Sequence, residues 1–277
     1  MSQQPAPNDV IDTLTLGDLV RDMSGTDGGV SAGIPADWMQ GRTAFGGITA
    51  ALALAATRRS LPDLPMLRSM QVSFLRPITD QVEFVVTLIR AGRAASFVQV
   101  DCFSEGKIGA RVNFVFGAAR ETRYVQDYTP SPSLPSPSLP APETCPHMAR
   151  RASGPAFAGK FEARVVEGDE PVSGSDRPES IVWSRLIARD DVTPEIALIC
   201  NADNLPPAAM ATFTEPAPVS TITWSLDIAR MPSHTDWLSI RSTSKQAAEG
   251  YSVQDMELRD REGLLVGSAQ QLVALFG

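Results

Sequence analysis

Fifteen consecutive residues, Thr43 to Thr57 (TAFGGITAALALAAT), carry no charge. A surface helix shows one apolar stripe with polar residues opposite, whereas a helix over this stretch would be apolar all round and must be enclosed on nearly every side. It is also shorter than the roughly 20 apolar residues that a bilayer span requires. The enclosure must therefore come from the chain itself. Downstream, Val82, Phe84, Val86 and Leu88 alternate with other residues, and Val98, Val100 and Cys102 do the same, which predicts two strands that each turn an apolar face to the helix.

The same order of elements occurs twice, on either side of a proline stretch. Pro130 to Pro146 holds seven prolines among seventeen residues, mixed with Ser, a composition of extended and solvated chain. Before it, the apolar segment Phe45 to Ala56 is followed by a strand over Gln71 to Pro77. After it, the apolar segment Ile196 to Met210 is followed by a strand over Thr221 to Pro232. Aligning Arg76 with Arg230 sets an offset of 154 residues, which places Thr49 opposite Asp203 and Phe97 opposite Tyr251. The turns Glu105-Gly106 and Glu262-Gly263 follow at an offset of 157, as a three-residue insertion would give. An enclosed helix followed by antiparallel strands, twice over, predicts an α+β double hotdog: two curved antiparallel sheets, each wrapping a buried helix, joined by a Pro-rich linker. The predicted boundaries are 1–123 for the N-terminal hotdog, 124–150 for the linker and 151–277 for the C-terminal hotdog.

Charge and composition exclude several classes of function. With 24 Lys and Arg against 32 Asp and Glu, the net charge is -8, which favours neither nucleic acid nor an anionic membrane as partner. Asp9, Asp12 and Asp18 precede any basic residue, the reverse of a signal peptide, so a cytoplasmic location is expected. Cys102, Cys145 and Cys200 are odd in number and far apart, and read as small buried hydrophobes rather than a disulfide framework or zinc signature. His147 and His234 are the only histidines, which excludes histidine-rich metal chemistry.

Three features could carry chemistry. GVSAG, Gly29 to Gly33, fits the G-x-S-x-G pattern of a hydrolase elbow, but a polar turn-forming stretch precedes it and Pro35 follows, so it reads as a loop. Gly46-Gly47 opens the apolar helix, where exposed N–H groups could polarise a carbonyl, or where the glycines could simply permit close packing. Asp203 is the only charge between Glu195 and Glu215: either a carboxylate held in an apolar environment for work, or an exposed helix end before Pro206-Pro207. Both pairs of readings stand open on the residues alone, and Thr221 and Gln271 gain meaning only together with Asp203.

The stretch Gly41 to Ala110, with Gly46-Gly47, the FLRP of Phe74 to Pro77 and the Arg90 to Ser96 strand start, resembles the N-terminal hotdog of the acyl-CoA thioesterase II type. The Trp183 strand, the ADNLPP segment and the terminal SAQQL strand resemble that family's second hotdog. The resemblance spans roughly residues 15 to 120 and 155 to 276. It implies a double hotdog that hydrolyses acyl-CoA thioesters, with Asp203, Thr221 and Gln271 together holding the attacking water. Thr223 and Asp227 depart from the family pattern, which commonly has an Asp and an aromatic or His there. The expected mechanism places the thioester carbonyl on backbone N–H groups at Gly46-Gly47, uses no metal or other cofactor, and has one site per chain because Thr49 stands opposite Asp203. The alternatives are a non-catalytic hotdog that binds acyl-CoA or an acyl carrier, and a hydratase, for which no Asp and His pair is evident. A homo-oligomer is compatible with the sequence. Arg42, Arg58, Arg59, Arg68 and Arg93 read first as solvated surface charges and second as contacts for the CoA polyanion.

Overall fold

The computed structural model describes residues 14–126, 139–150, 154–189, 191–232 and 236–277. In chain order, the first half runs through α1 (Leu16–Arg21), β1 (Ser24–Gly25), β2 (Val30–Gly33), β3 (Met39–Gln40), β4 (Thr43–Ala44), α2 (Gly46–Ser60), β5 (Leu67–Phe74), β6 (Gln81–Ala91), β7 (Ser96–Ser104) and β8 (Lys107–Phe116). The second half runs through β9 (Phe161–Gly168), β10 (Glu179–Leu186), α3 (Pro194–Ala202), β11 (Val219–Ile228), β12 (Leu238–Ala248), β13 (Tyr251–Arg259) and β14 (Leu265–Leu275). Residues Gly47 to Thr57 of α2 are buried, as the missing charge requires, and the helix packs on β6, β7, β8 and α3.

The two predicted sheets are one. All strands except the β3–β4 pair join a twelve-stranded antiparallel sheet in the order β1-β2-β6-β7-β8-β5-β11-β14-β13-β12-β10-β9. The halves meet where β5 pairs with β11, an arrangement that satisfies two strand edges which separate sheets would leave open. At the centre of that seam Ser225 pairs with Gln71, residues related by the 154-residue offset read from the sequence. A pseudo-two-fold axis therefore passes through this pair. The duplication extends to irregularities: a β-bulge interrupts β5·β8 between Leu67 and Ser69, and another interrupts β11·β14 between Thr221 and Thr223, at the same offset.

Other expectations are corrected in detail. GVSAG is not a loop, because Val30–Gly33 forms β2 and pairs with β6, while Ser31 shares a hydrogen bond with Ser24 at 2.9 Å. The apolar alternation of β6 holds at buried Val82 and Phe84 but ends by Leu88, which is 42% exposed. The end of the proline stretch is packed: Trp183 Nε1 donates to Pro140 O at 2.9 Å, Leu139 and buried Cys145 join a cluster with Trp183 and Trp237, and Val165 N donates to Pro146 O. Cys102, Cys145 and Cys200 are free and buried. Among the described residues, no helix is long and apolar enough to cross a membrane.

Candidate active site

α3 begins with Pro194 at its first position and stops at Ala202, because Pro206 and Pro207 lie too close for the helix to continue. Asp203 is its C-cap, a location that the negative end of α3 makes unfavourable for a carboxylate. The compensation comes from α2. The two helices run antiparallel, so the C-terminal end of α3 meets the N-terminal end of α2, whose own cap residue Phe45 makes no side-chain cap. The Asp203 carboxylate lies against that end from another element, where the nearby Gly47 N–H favours its charged form. The contact demands glycine: a Cβ on Gly46 would stand 2.6 Å from Asp203 Oδ2 and 2.9 Å from Phe74 Cζ, and one on Gly47 would stand 2.7 Å from the Cys200 carbonyl oxygen.

Asp203 is held from three further directions. Gln271 Nε2, from β14, donates to Asp203 Oδ1 at 2.6 Å. Asn204, the next residue, is buried and bonded to Ser184 Oγ of β10 and to Asn201, which fixes the end of α3 to the sheet. Stacked rings seat the start of α2: Phe45 lies parallel to Phe157, with centroids 4.0 Å apart, and edge-on to Phe161 at 5.8 Å. Burial pushes the Asp203 carboxyl from its ordinary value of 3.8 up to about 7, against the opposing effect of the Gln271 hydrogen bond and the nearby Gly47 N–H.

Thr221 joins this group through the bulge. Directly paired residues share a sheet face, and Gln271 pairs with Trp224, three residues along β11 from Thr221. In a regular strand, a separation of three would turn Thr221 to the opposite face. The extra residue at the bulge instead pairs Thr221 with Val273, on the face of Gln271, and leaves exposed Thr223 opposite Leu272 on the other. Asp203, Thr221 and Gln271 thereby line one cavity of about 400 Å³. Its apolar wall includes Phe157, Phe161, Val172, Leu205, Met210 and Val219, and the first half contributes Gln40.

The remaining expectations meet a different geometry. Gly46 and Gly47 are not among the residues lining the cavity, because the Asp203 carboxylate already occupies the end of α2. Thr49 matches Asp203 in sequence offset but not in place: it lies in the first turn of α2, donating to Phe45 O at 3.2 Å, whereas Asp203 closes α3. None of the five candidate arginines lines the cavity, since Arg58 pairs with Glu195 and Arg59 and Arg68 bond backbone carbonyls. Among the described residues, Arg150 and Glu170 are the charged ones, besides Asp203, that do. Sequence reading missed both, along with Gln254, because their position depends on packing of the chain after the proline stretch and of the inner sheet face. His147 is exposed, pairs with Arg164 in an isolated bridge and is absent from the cavity lining; His234 lies outside the described residues.

The counterparts in the first half are apolar. Leu67, paired with Phe116 at its own bulge, takes the place of Thr221, and Phe114 takes that of Gln271. At the other ends of the helices, Arg58 from the last turn of α2 forms a two-pronged ion pair with Glu195 from the first turn of α3, at 2.6 and 2.8 Å. The duplicated location is thus filled and closed.

A hotdog pair with one polar cavity defines the class, and comparison with known proteins defines the family. A model of the acyl-CoA thioesterase C-terminal domain matches residues 142–275, and one of the N-terminal domain matches residues 34–117, together most of the chain. The protein belongs to the acyl-CoA thioesterase family and is a thioesterase. Solved structures share the fold at low identity. One is a protein of unknown function with a hot dog fold from Alicyclobacillus acidocaldarius (TM-score 0.82, 20% identity, 96% of this chain and 99% of that one). Another is an acyl-CoA thioesterase II from Mycobacterium marinum (0.72, 18%, 94% and 98%), and a third is a tesB protein from Mycobacterium avium subspecies paratuberculosis (0.75, 20%, 95% and 100%). No curated protein matches the chain.

Proposed function

We propose that this enzyme hydrolyses acyl-CoA by direct attack of water on the thioester carbonyl, with Asp203 as general base and Thr221 and Gln271 orienting the water beside it. The observation that carries the reading is a single one: a carboxylate bonded by Gln271, set against the N-terminal end of α2, at the wall of a cavity that Thr221 also lines. Water gives a proton to Asp203 as its oxygen bonds to the carbonyl carbon. The tetrahedral intermediate then breaks the C–S bond, and the proton passes from Asp203 to the departing CoA sulfur, leaving free acid and CoA thiol. A base with a pKa about 7 suits this step, being about half ionised at neutral pH and more so above it, yet strong enough to take the proton.

The N-terminal amides of α2 are assigned to the base rather than to the thioester carbonyl, and they offset part of the cost of burying its charge. The apolar wall suits an acyl chain, and Arg150, whose guanidinium also donates to the Phe161 carbonyl, brings a cation to the cavity mouth for the CoA phosphates. Since a positioned general base contributes about two to four orders of magnitude, Asp203→Asn should lose at least a hundredfold in thiol release across an acyl-CoA panel while remaining folded. Near-wild-type turnover in that variant would refute the assignment, and absence of thiol release by the wild type on every acyl length would favour the binding-protein alternative.

A further inference from the structure

Gln271 does not act alone. Behind it lies Gln254 of β13, 1% exposed, with its Nε2 donating to Gln271 Oε1 at 3.0 Å and its Oε1 accepting from the Ala208 backbone N–H at 2.6 Å. A glutamine amide can be turned end for end, and its shape does not say which end donates. A backbone N–H cannot be turned. The Ala208 amide therefore dictates that the carbonyl of Gln254 faces it, which leaves Nε2 toward Gln271. That in turn requires the Gln271 carbonyl on the same side, and puts the Gln271 Nε2 against Asp203.

We propose that Gln254 is a positioning residue for the reaction, which transmits the direction of the Ala208 N–H through Gln271 so that Asp203 always meets a donor. The proposal rests on the reading of Asp203 as the base. In the reverse orientation, Gln271 Oε1 would face the carboxylate at hydrogen-bond distance, acceptor against acceptor, and the anion would give way to the protonated acid. The first half has no such relay: the residue paired with Phe114 on β7, in the place of Gln254, is Val98. The other groups around Asp203 are not hydrogen-bonded to Gln254. They are Arg150 and Glu170 on the cavity wall, Cys200 on α3, the amides of α2, and Thr221 on β11.

The test is the pH profile of kcat/KM for Gln254→Met, which keeps the side-chain length and removes both hydrogen bonds. The expected result is an acid limb displaced upward by about one pH unit, so that a roughly tenfold loss below neutral pH shrinks as pH rises. A loss of equal size at every pH, or no loss, would overturn the proposal. Gln254→Glu provides a second variant if the first does not fold. Protonated, its carboxyl reproduces the relay; ionised, it accepts at both ends and turns Gln271 around, so its loss should grow with pH, and a uniform loss again overturns the idea. Asp203→Asn separates the two failures: if that variant stays active the base assignment falls, whereas an inactive Asp203→Asn with unshifted Gln254 profiles removes only the relay.

Discussion

Asp203→Asn should trade activity for stability, and the trade should depend on pH. The carboxyl titrates at about 7 in the folded protein against an ordinary value of 3.8, because burial outweighs its hydrogen bonds. A folded-state pKa above the unfolded one means that the native protein holds the proton more tightly. The stabilising contribution of the protonated group is therefore complete below about pH 4 and is lost as pH rises through about 7. A displacement of about three units corresponds to about 4 kcal/mol, and solvent reaching the cavity reduces this to roughly 2–4 kcal/mol. Asparagine does not ionise and escapes the loss. The stability of the variant relative to wild type should thus rise from about pH 4, level off near pH 8, and differ by that amount between the two limits. Denaturant unfolding of both proteins across this range measures the difference. The same ionisation sets the wild-type kcat/KM, which at pH 6 should stand at about a tenth of its alkaline plateau. A stability difference independent of pH, together with a rate profile flat through neutrality, would refute the picture of a desolvated base.

Gly46→Ala should disable the enzyme without unfolding it, since the new methyl would stand 2.6 Å from Asp203 Oδ2; a kcat/KM within twofold of wild type would show that the contact is dispensable. Thr221→Val, nearly the same shape without the hydroxyl, should lower kcat by roughly ten- to a hundredfold with little change in melting temperature, read by steady-state kinetics beside calorimetry. Glu195→Gln should destabilise the fold by about 1–3 kcal/mol by leaving Arg58 half-buried without its charge partner, while kcat/KM stays near wild type, because the pair lies at the opposite helix ends from Asp203. Active-site titration should give one site per chain, since Leu67, Phe114 and Val98 occupy the duplicated location.

The duplication was legible because it is written in spacing: an offset of 154 aligned the seam strands, and Ser225 and Gln71 lie at the centre of the seam with that offset. That the halves share a sheet was not legible, because the pairing of β5 with β11 leaves no pattern distinct from that of any other neighbouring strands. For the site, the residue types Asp203, Thr221 and Gln271 could be taken from a family resemblance, and the structure brings all three to one cavity. Three aspects depended on tertiary geometry. Thr221 reaches the inner face only through a bulge, and alternation along TITWSL would have turned it outward. The end of α2 looked like an anion site open to substrate, but its anion comes from the protein. Gln254 reads in the sequence as one more polar residue in a strand, and its partners lie 46 and 17 residues away.

The seam between β5 and β11 has a consequence for how such a cavity can arise. In a homodimer of single hotdogs, each side chain is present twice, so a carboxylate sunk beside one helix must be matched by another beside its mate, and both bear the penalty of desolvation. A tandem chain is free of that constraint. Here one half has leucine, phenylalanine and valine where the other holds the polar set, so that among the described residues the carboxylate beside α2 has no mate and its desolvation is borne once.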